Sequence, residues 1–226
     1  MVLHGGLGNA ERIESKRSEH GLNMDTTAEK DQFIVAYLNG TAVTRFFGSK
    51  MLGWNAGGGC CGQSAANNVD DVAYISGAIG YLADKYGIDR NRVYGMGHSN
   101  GAMMAQRLIC ETTALAAAVA ISGPLNLDTE HCPAAKGRRV LAIHGKDDEN
   151  VPLAGGRGTK GLSGVAYSSE SRASQIFVSS GGAYTLDVVE GADHFLDHID
   201  ARILQTEGVS VADKSAQFFG LQAVPR

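Results

Sequence analysis

The chain has 226 residues, 43% hydrophobic and 19% charged, the make-up expected of one globular domain over residues 1–226 with a single sizeable core. Its 20 Lys and Arg against 24 Asp and Glu give a net charge of −4 without a basic cluster, which argues against nucleic acid as a partner. No run approaches the roughly 18 apolar residues that cross a bilayer, which argues against a membrane-spanning one.

Short apolar runs alternate with segments of helical period, the pattern of a parallel sheet covered by helices. The first predicted strand, Val2–His4, opens the chain in mid-run, as expected where an upstream segment has been lost. A second follows at Phe33–Tyr37. The stretch Gly40–Asn67 is long, rich in glycine and weak in periodicity, and is expected to be a loop beside a functional site. Its Trp54 is either a wall of a substrate pocket or a ring that packs the loop onto the body. Val69, Val72, Ile75, Ile79, Leu82 and Tyr86 recur at helical spacing and predict a helix over Asn68–Tyr86, capped by Asn67 or Asn68. Beyond it come a strand at Val93–Met96, a helix at Ala102–Glu111 and strands at Ala117–Ser122 and Val140–His144. A helix at Ser169–Ser179, a strand at Thr185–Glu190 and helices at Leu196–Thr206 and Val211–Phe219 complete the set.

Cys60, Cys61, Cys110 and Cys132 fit no zinc-binding spacing, so no metal is expected; two disulfides and four reduced thiols both suit the count.

The strongest chemical signal is Gly97-His98-Ser99-Asn100-Gly101, a G-x-S-x-G run between a predicted strand and a predicted helix. A nucleophile on so sharp a turn needs small residues two positions away on either side, and Gly97 and Gly101 supply them. A serine hydroxyl is too weakly acidic to attack an ester unaided, and in this arrangement the order along the chain is Ser, acid, His. That order leaves His194 and His198 as bases. His194, directly beyond the strand Thr185–Glu190, is the better placed. The acid lies in Asp147-Asp148-Glu149, among which periodicity does not choose. His4-Gly5-Gly6-Leu7-Gly8-Asn9 is similar to the H-G-G segment that supplies an oxyanion donor, which gives the main-chain amides of Gly6 or Leu7, and of Asn100, as the donors. His98 and Trp54 are expected to contact substrate. Together these features predict an α/β-hydrolase fold, a mostly parallel central sheet with helices on both faces, and a serine ester hydrolase that needs no cofactor. A peptidase on the same fold and a non-catalytic binding module derived from it are the competing readings.

The segments Gly53-Trp54-Asn55-Ala56-Gly57, Val69-Asp70-Asp71-Val72, Asp89-x-x-Arg92-Val93-Tyr94 and Ser99-Asn100-Gly101-Ala102-Met103-Met104 resemble the poly(3-hydroxybutyrate) depolymerase and feruloyl esterase family of α/β-hydrolases. The resemblance covers His4 to about His194. Its H-G-x-x-D and V-P pattern falls on His144–Asp148 and Val151-Pro152 and so implies Asp148 as the acid. It also implies a small or polymeric ester substrate, an extracellular location, and disulfides in which Cys60 or Cys61 reaches Cys110. Phe195-Leu196 stand where many members have Trp-Pro, which implies a differently shaped pocket. The strands that normally precede the first H-G motif are missing, and an exposed sheet edge left by them implies a homo-oligomer.

Overall fold

The structure is a computed structural model that describes residues 1–15, 19–42, 51–161 and 163–222. In chain order, β1 (Val2–Leu3) leads to α1 (Ala10–Glu14), α2 (Met24–Asp31) and β2 (Tyr37–Leu38). An antiparallel pair follows, β3 (Thr41–Ala42) with β4 (Leu52–Gly53), then α3 (Gly62–Ala66), α4 (Asp71–Tyr86) and β5 (Tyr94–His98). Next come α5 (Asn100–Glu111), β6 (Ala117–Ile121), β7 (Arg139–Gly145) and a second antiparallel pair, β8 (Gly156–Arg157) with β9 (Ala166–Tyr167). The chain ends on α6 (Glu170–Ser179), β10 (Ala183–Val189), α7 (Leu196–Glu207) and α8 (Val211–Phe219).

Six strands form one parallel sheet in the order β10-β7-β6-β5-β1-β2. Because side chains alternate along a strand, each central strand feeds two cores. Ala118 and Val140 face a core with Ile75 and Ile79 of α4, Met104 and Leu108 of α5, and Phe177 of α6. Val119, Ile121, Leu141 and Ile143 face the other, with Ile13 of α1, Met24 of α2, Ile199 and Ile203 of α7, and Phe219 of α8. This is the α/β-hydrolase fold, with a parallel sheet and helices on both faces.

Several boundaries differ from expectation. Of Phe33–Tyr37 only Tyr37 is in a strand, because β1 offers just two residues to pair, Val2 with Tyr37 and Leu3 with Leu38. Helix α4 begins at Asp71 rather than Asn68: Asn68 has φ +48°, outside the helical region, and Asp70 caps the helix by accepting from Ala73 N at 2.9 Å. Ser122, at φ +54°, ends β6 one residue early. The expected strand Thr185–Glu190 spans Ala183–Val189, in register with all of β7. Residues 43–50 of the expected long loop lie outside the described residues.

The cysteine pairing is corrected. Cys110 bonds to Cys132, and Cys60 to Cys61, so neither Cys60 nor Cys61 reaches Cys110. The end of α5 lies beside the segment after β6, where Ala134 N donates to Cys110 O, and this places Cys132 against Cys110.

Candidate active site

The site is assembled at the carboxyl ends of the strands. Strand β5 ends at His98, Ser99 follows at φ +55° and ψ −120°, and α5 starts at once with Asn100. Such a backbone is strained for an L residue and is held from both sides. Ser99 N donates to Ile121 O of β6 at 2.8 Å, and Ser99 O accepts from Met103 N at 3.0 Å. The flanking glycines are steric necessities. A Cβ on Gly97 would collide with the backbone of Gly101, and one on Gly101 with the carbonyl oxygen of Leu3.

Three side chains meet here. Ser99 Oγ lies 2.9 Å from His194 Nε2, and His194 Nδ1 lies 2.7 Å from Asp148 Oδ2. Asp148 Oδ1 accepts from the amides of Asn150 and Val151, each at 2.8 Å. Of the three adjacent carboxylates only Asp148 is buried; Asp147 and Glu149 are exposed, and Glu149 pairs with Lys160. His198 is exposed as well and bonds Asp193 at 2.8 Å. Burial disfavours the Asp148 carboxylate, yet the hydrogen bonds from His144 and His194 outweigh it and hold its pKa well below the usual range.

His98 is buried beside this row. Its Nε2 donates to the carbonyl oxygen of His194 at 2.8 Å, since a carbonyl can only accept, and Nδ1 is buried with no hydrogen-bond partner among the described residues, as the bare nitrogen of a neutral ring. Burial first, and the neighbouring His194 second, push its pKa down to about 3. The contact His98 makes in the structure is thus to the backbone of His194.

The loop after β1 passes over Ser99. Of the two amides expected as oxyanion donors from this loop, that of Leu7 is already engaged, donating to Leu52 O at 2.8 Å. A Cβ on Gly6 would stand 3.7 Å from Asn100 Cβ, so Gly6 is next to the start of α5. As the first residue of α5, Asn100 has an amide with no partner inside the helix.

Trp54 is corrected from a pocket wall to a packing residue. It is fully buried, its Nε1 donates to His4 O at 2.9 Å, and its ring lies against His4 and Tyr74. The Asn100 side chain grips its backbone twice, accepting from Trp54 N at 2.7 Å and donating to Trp54 O at 3.0 Å. Asn55 N donates to Asp71 Oδ2 at 2.6 Å and Asn55 O accepts from Arg107. The sequence segments around Trp54, Asp71 and Asn100 therefore meet as one anchoring cluster.

Ser99, His98 and His194 border a cavity of about 530 Å³, which Leu7, Ile13, Val151, Tyr167 and Phe195 make largely apolar. A second cavity, about 470 Å³, lies at the amino ends of the strands among Phe33, Ile34, Tyr94 and Phe219, away from these groups. Among the described residues no group of three or more His, Cys, Asp or Glu is placed to hold a metal ion, and no helix is long and apolar enough to cross a membrane.

Residues 6–198 match the family model described as Phospholipase/Carboxylesterase. The chain belongs to the phospholipase/carboxylesterase family. As a member it is a hydrolase of carboxylesterase type, and an ester is its implied substrate. Solved structures agree on the fold. The Bacillus cereus carboxylesterase superposes with a TM-score of 0.61 at 18% identity over 97% of this chain and 86% of that one. Esterase PE8 gives 0.60 at 20% identity over 92% and 91%, and Arabidopsis thaliana SOBER1 gives 0.58 at 16% over 89% and 97%. No curated protein matches the chain significantly. This phospholipase/carboxylesterase domain contains residues that the sequence did not single out. Glu170 and Tyr184, behind Asp148, are the chief ones; Glu170 follows Ser169 as an ordinary first-turn acid would, and no local signal separates it from one.

Proposed function

We propose that the protein hydrolyses carboxylic esters in two steps through an acyl-enzyme on Ser99. The observation that carries this is the unbroken row of hydrogen bonds Ser99–His194–Asp148, with its serine end at the apolar cavity. In the first step His194 Nε2 takes the Ser99 proton as Oγ attacks the ester carbonyl. Asp148 stabilises the imidazolium, and the amides of Gly6 and Asn100 receive the oxyanion. His194 then gives the proton to the departing alcohol. Water repeats the sequence on the acyl-enzyme and frees the acid.

Within the esters, the volume and apolar lining of the cavity suit one acyl or aryl unit of moderate size, in the usual range for small-ligand sites. The resemblance of the Trp54, Asp71 and Ser99 segments to feruloyl esterases and polyhydroxyalkanoate depolymerases makes hydroxycinnamate and hydroxyalkanoate esters the finer reading. Two cysteine pairs support an extracellular, oxidising setting.

The test is hydrolysis of p-nitrophenyl esters of increasing chain length and of methyl ferulate, by the wild type beside Ser99→Ala, with both checked by circular dichroism. The expected result is turnover by the wild type and a loss of at least about 10³-fold in kcat for the folded variant. A folded wild type inert on every ester would overturn the proposal, and equal rates in both proteins would remove Ser99 from it.

A further inference from the structure

Behind Asp148 lies a second buried row that the two-step scheme does not use. His144, in β7, is fully buried. Its Nε2 is 2.9 Å from the carbonyl oxygen of Val151 and 3.3 Å from Asp148 Oδ2, the same oxygen that binds His194. Its Nδ1 is 2.8 Å from Oε1 of Glu170, the first residue of α6, itself only 1% exposed. Glu170 Oε2 accepts from the hydroxyl of Tyr184 in β10 at 2.5 Å.

The proton count follows from these partners. A carbonyl oxygen has no hydrogen to give, so Nε2 must carry one. Nδ1 and Glu170 Oε1, 2.8 Å apart, must share one proton, and an imidazole nitrogen is a stronger base than a carboxylate oxygen, so the ring holds it. A ring with hydrogen on both nitrogens is a cation, and it stands between two buried carboxylates. No Lys or Arg ion pair reaches either carboxylate among the described residues. The other titratable groups that face this row are His194, Tyr184, His98, whose ring lies 5.0 Å from that of His194, and Tyr167, whose ring in β9 lies near enough to Asp148 to feel its charge. Burial works against the charged ring, and the bonds to Asp148 and Glu170 overcome it, raising the His144 pKa to about 9.

We propose that His144 is a standing imidazolium that bridges Asp148 to Glu170 and acts as a positioning residue, fixing the Asp148 carboxylate and restraining the basicity of His194. The functional half of this rests on the ester-hydrolase reading above. Asp148 Oδ2 is shared by the two rings. Charge drawn toward a permanent cation on one side is less available to stabilise the His194 imidazolium on the other. Without that cation His194 becomes the stronger base.

Two measurements test this. The first is ¹⁵N NMR of the histidine rings in the wild type between pH 6 and 8, with His144→Gln for assignment. The expected spectrum has one buried histidine protonated on both nitrogens throughout, absent from His144→Gln. The second is the pH profile of kcat/KM on p-nitrophenyl acetate. In His144→Gln the acidic limb moves up by about one pH unit, the order expected for charges several ångströms apart in a protein. Tyr184→Phe disturbs packing at Glu170 without changing the charge, and its limb stays in place. A His144 found neutral at pH 7, or a folded His144→Gln whose limb is unmoved or moves down, overturns the proposal. Should His144→Gln not fold, the Glu170-side perturbation in Tyr184→Phe assigns the ring and the wild-type spectrum decides. A wild type without esterase activity would sink the ester reading, while the spectrum still reports the charge of His144.

Discussion

Gly101 shows how closely the turn at Ser99 is fitted to its neighbours, since the atoms a Cβ would strike there are the carbonyl oxygens of Leu3 and His4, which are backbone and cannot swing aside. Gly101→Ala is therefore expected to destabilise the fold by about 3 kcal/mol, at the upper end of overpacking costs. Gly77, in the middle of α4, has nothing within 4 Å of its Cβ position. Gly77→Ala should stabilise by about 0.5–1 kcal/mol, because it removes freedom from the unfolded chain at no steric cost. Denaturant unfolding of the two variants beside the wild type checks both signs; a Gly101→Ala as stable as the wild type would contradict the crowding. At this scale Ser99 and His194 were legible because chain order and strand context narrow the choice to few residues. Asp148 was not legible from the residues alone. Three carboxylates in a row are equivalent until the loop's fold buries one, and the family resemblance had to supply the choice.

Between elements, the deciding contacts are polar and long-range, which is why periodicity did not reveal them. Helix α5 starts at Asn100, not Ala102, because the strained Ser99 stands where a capping residue would be and its side chain caps nothing. Helix α2 leaves no mark on the sequence pattern, since Met24–Asp31 buries only Met24, Thr27 and Ala28, too few apolar residues to give a helical stripe. The segment around Trp54 is fastened to α4 and α5 by Asp71, Arg107 and Asn100, none of which a hydrophobic pattern weighs. Asp71 is 2% exposed and takes the amide of Asn55. Asp71→Ala leaves that buried amide without its acceptor, so a stability loss of about 1–3 kcal/mol is expected. Limited proteolysis should then cut near residues 53–57 before the rest of the chain. If Asp71→Ala melts with the wild type and resists protease equally, the segment is held by packing of Trp54 alone.

For the molecule as a whole, alternating apolar runs were enough to give the sheet, its parallel sense and helices on both faces, because two-sided burial leaves a strong mark on sequence. The cysteine pairing left none, as it depends on where the end of α5 meets the segment after β6. The same two-sided burial governs response to acid. His98 lies wholly inside the protein, neutral, with its pKa lowered from 6.5 to about 3 by burial and by His194. Above pH 6.5 neither the folded nor the unfolded chain binds a proton there, and the group has no effect on stability. Between pH 6.5 and about 3 the unfolded chain takes up a proton that the folded one refuses, so this residue alone lowers stability by about 1.4 kcal/mol per pH unit. His144 acts in the opposite sense. Its raised pKa gives stability that is complete below pH 6.5 and is lost as pH climbs toward 9. Asp148, with a lowered pKa, adds to acid sensitivity only below about pH 4. His98→Gln keeps a donor for the His194 carbonyl but has no proton to gain. Urea unfolding from pH 6.5 to 4.5 should show the wild type losing stability more steeply than His98→Gln, by about 1.4 kcal/mol per pH unit. Parallel slopes would mean that His98 is reached by solvent protons in the folded state, and the buried neutral ring supporting His194 would have to be abandoned.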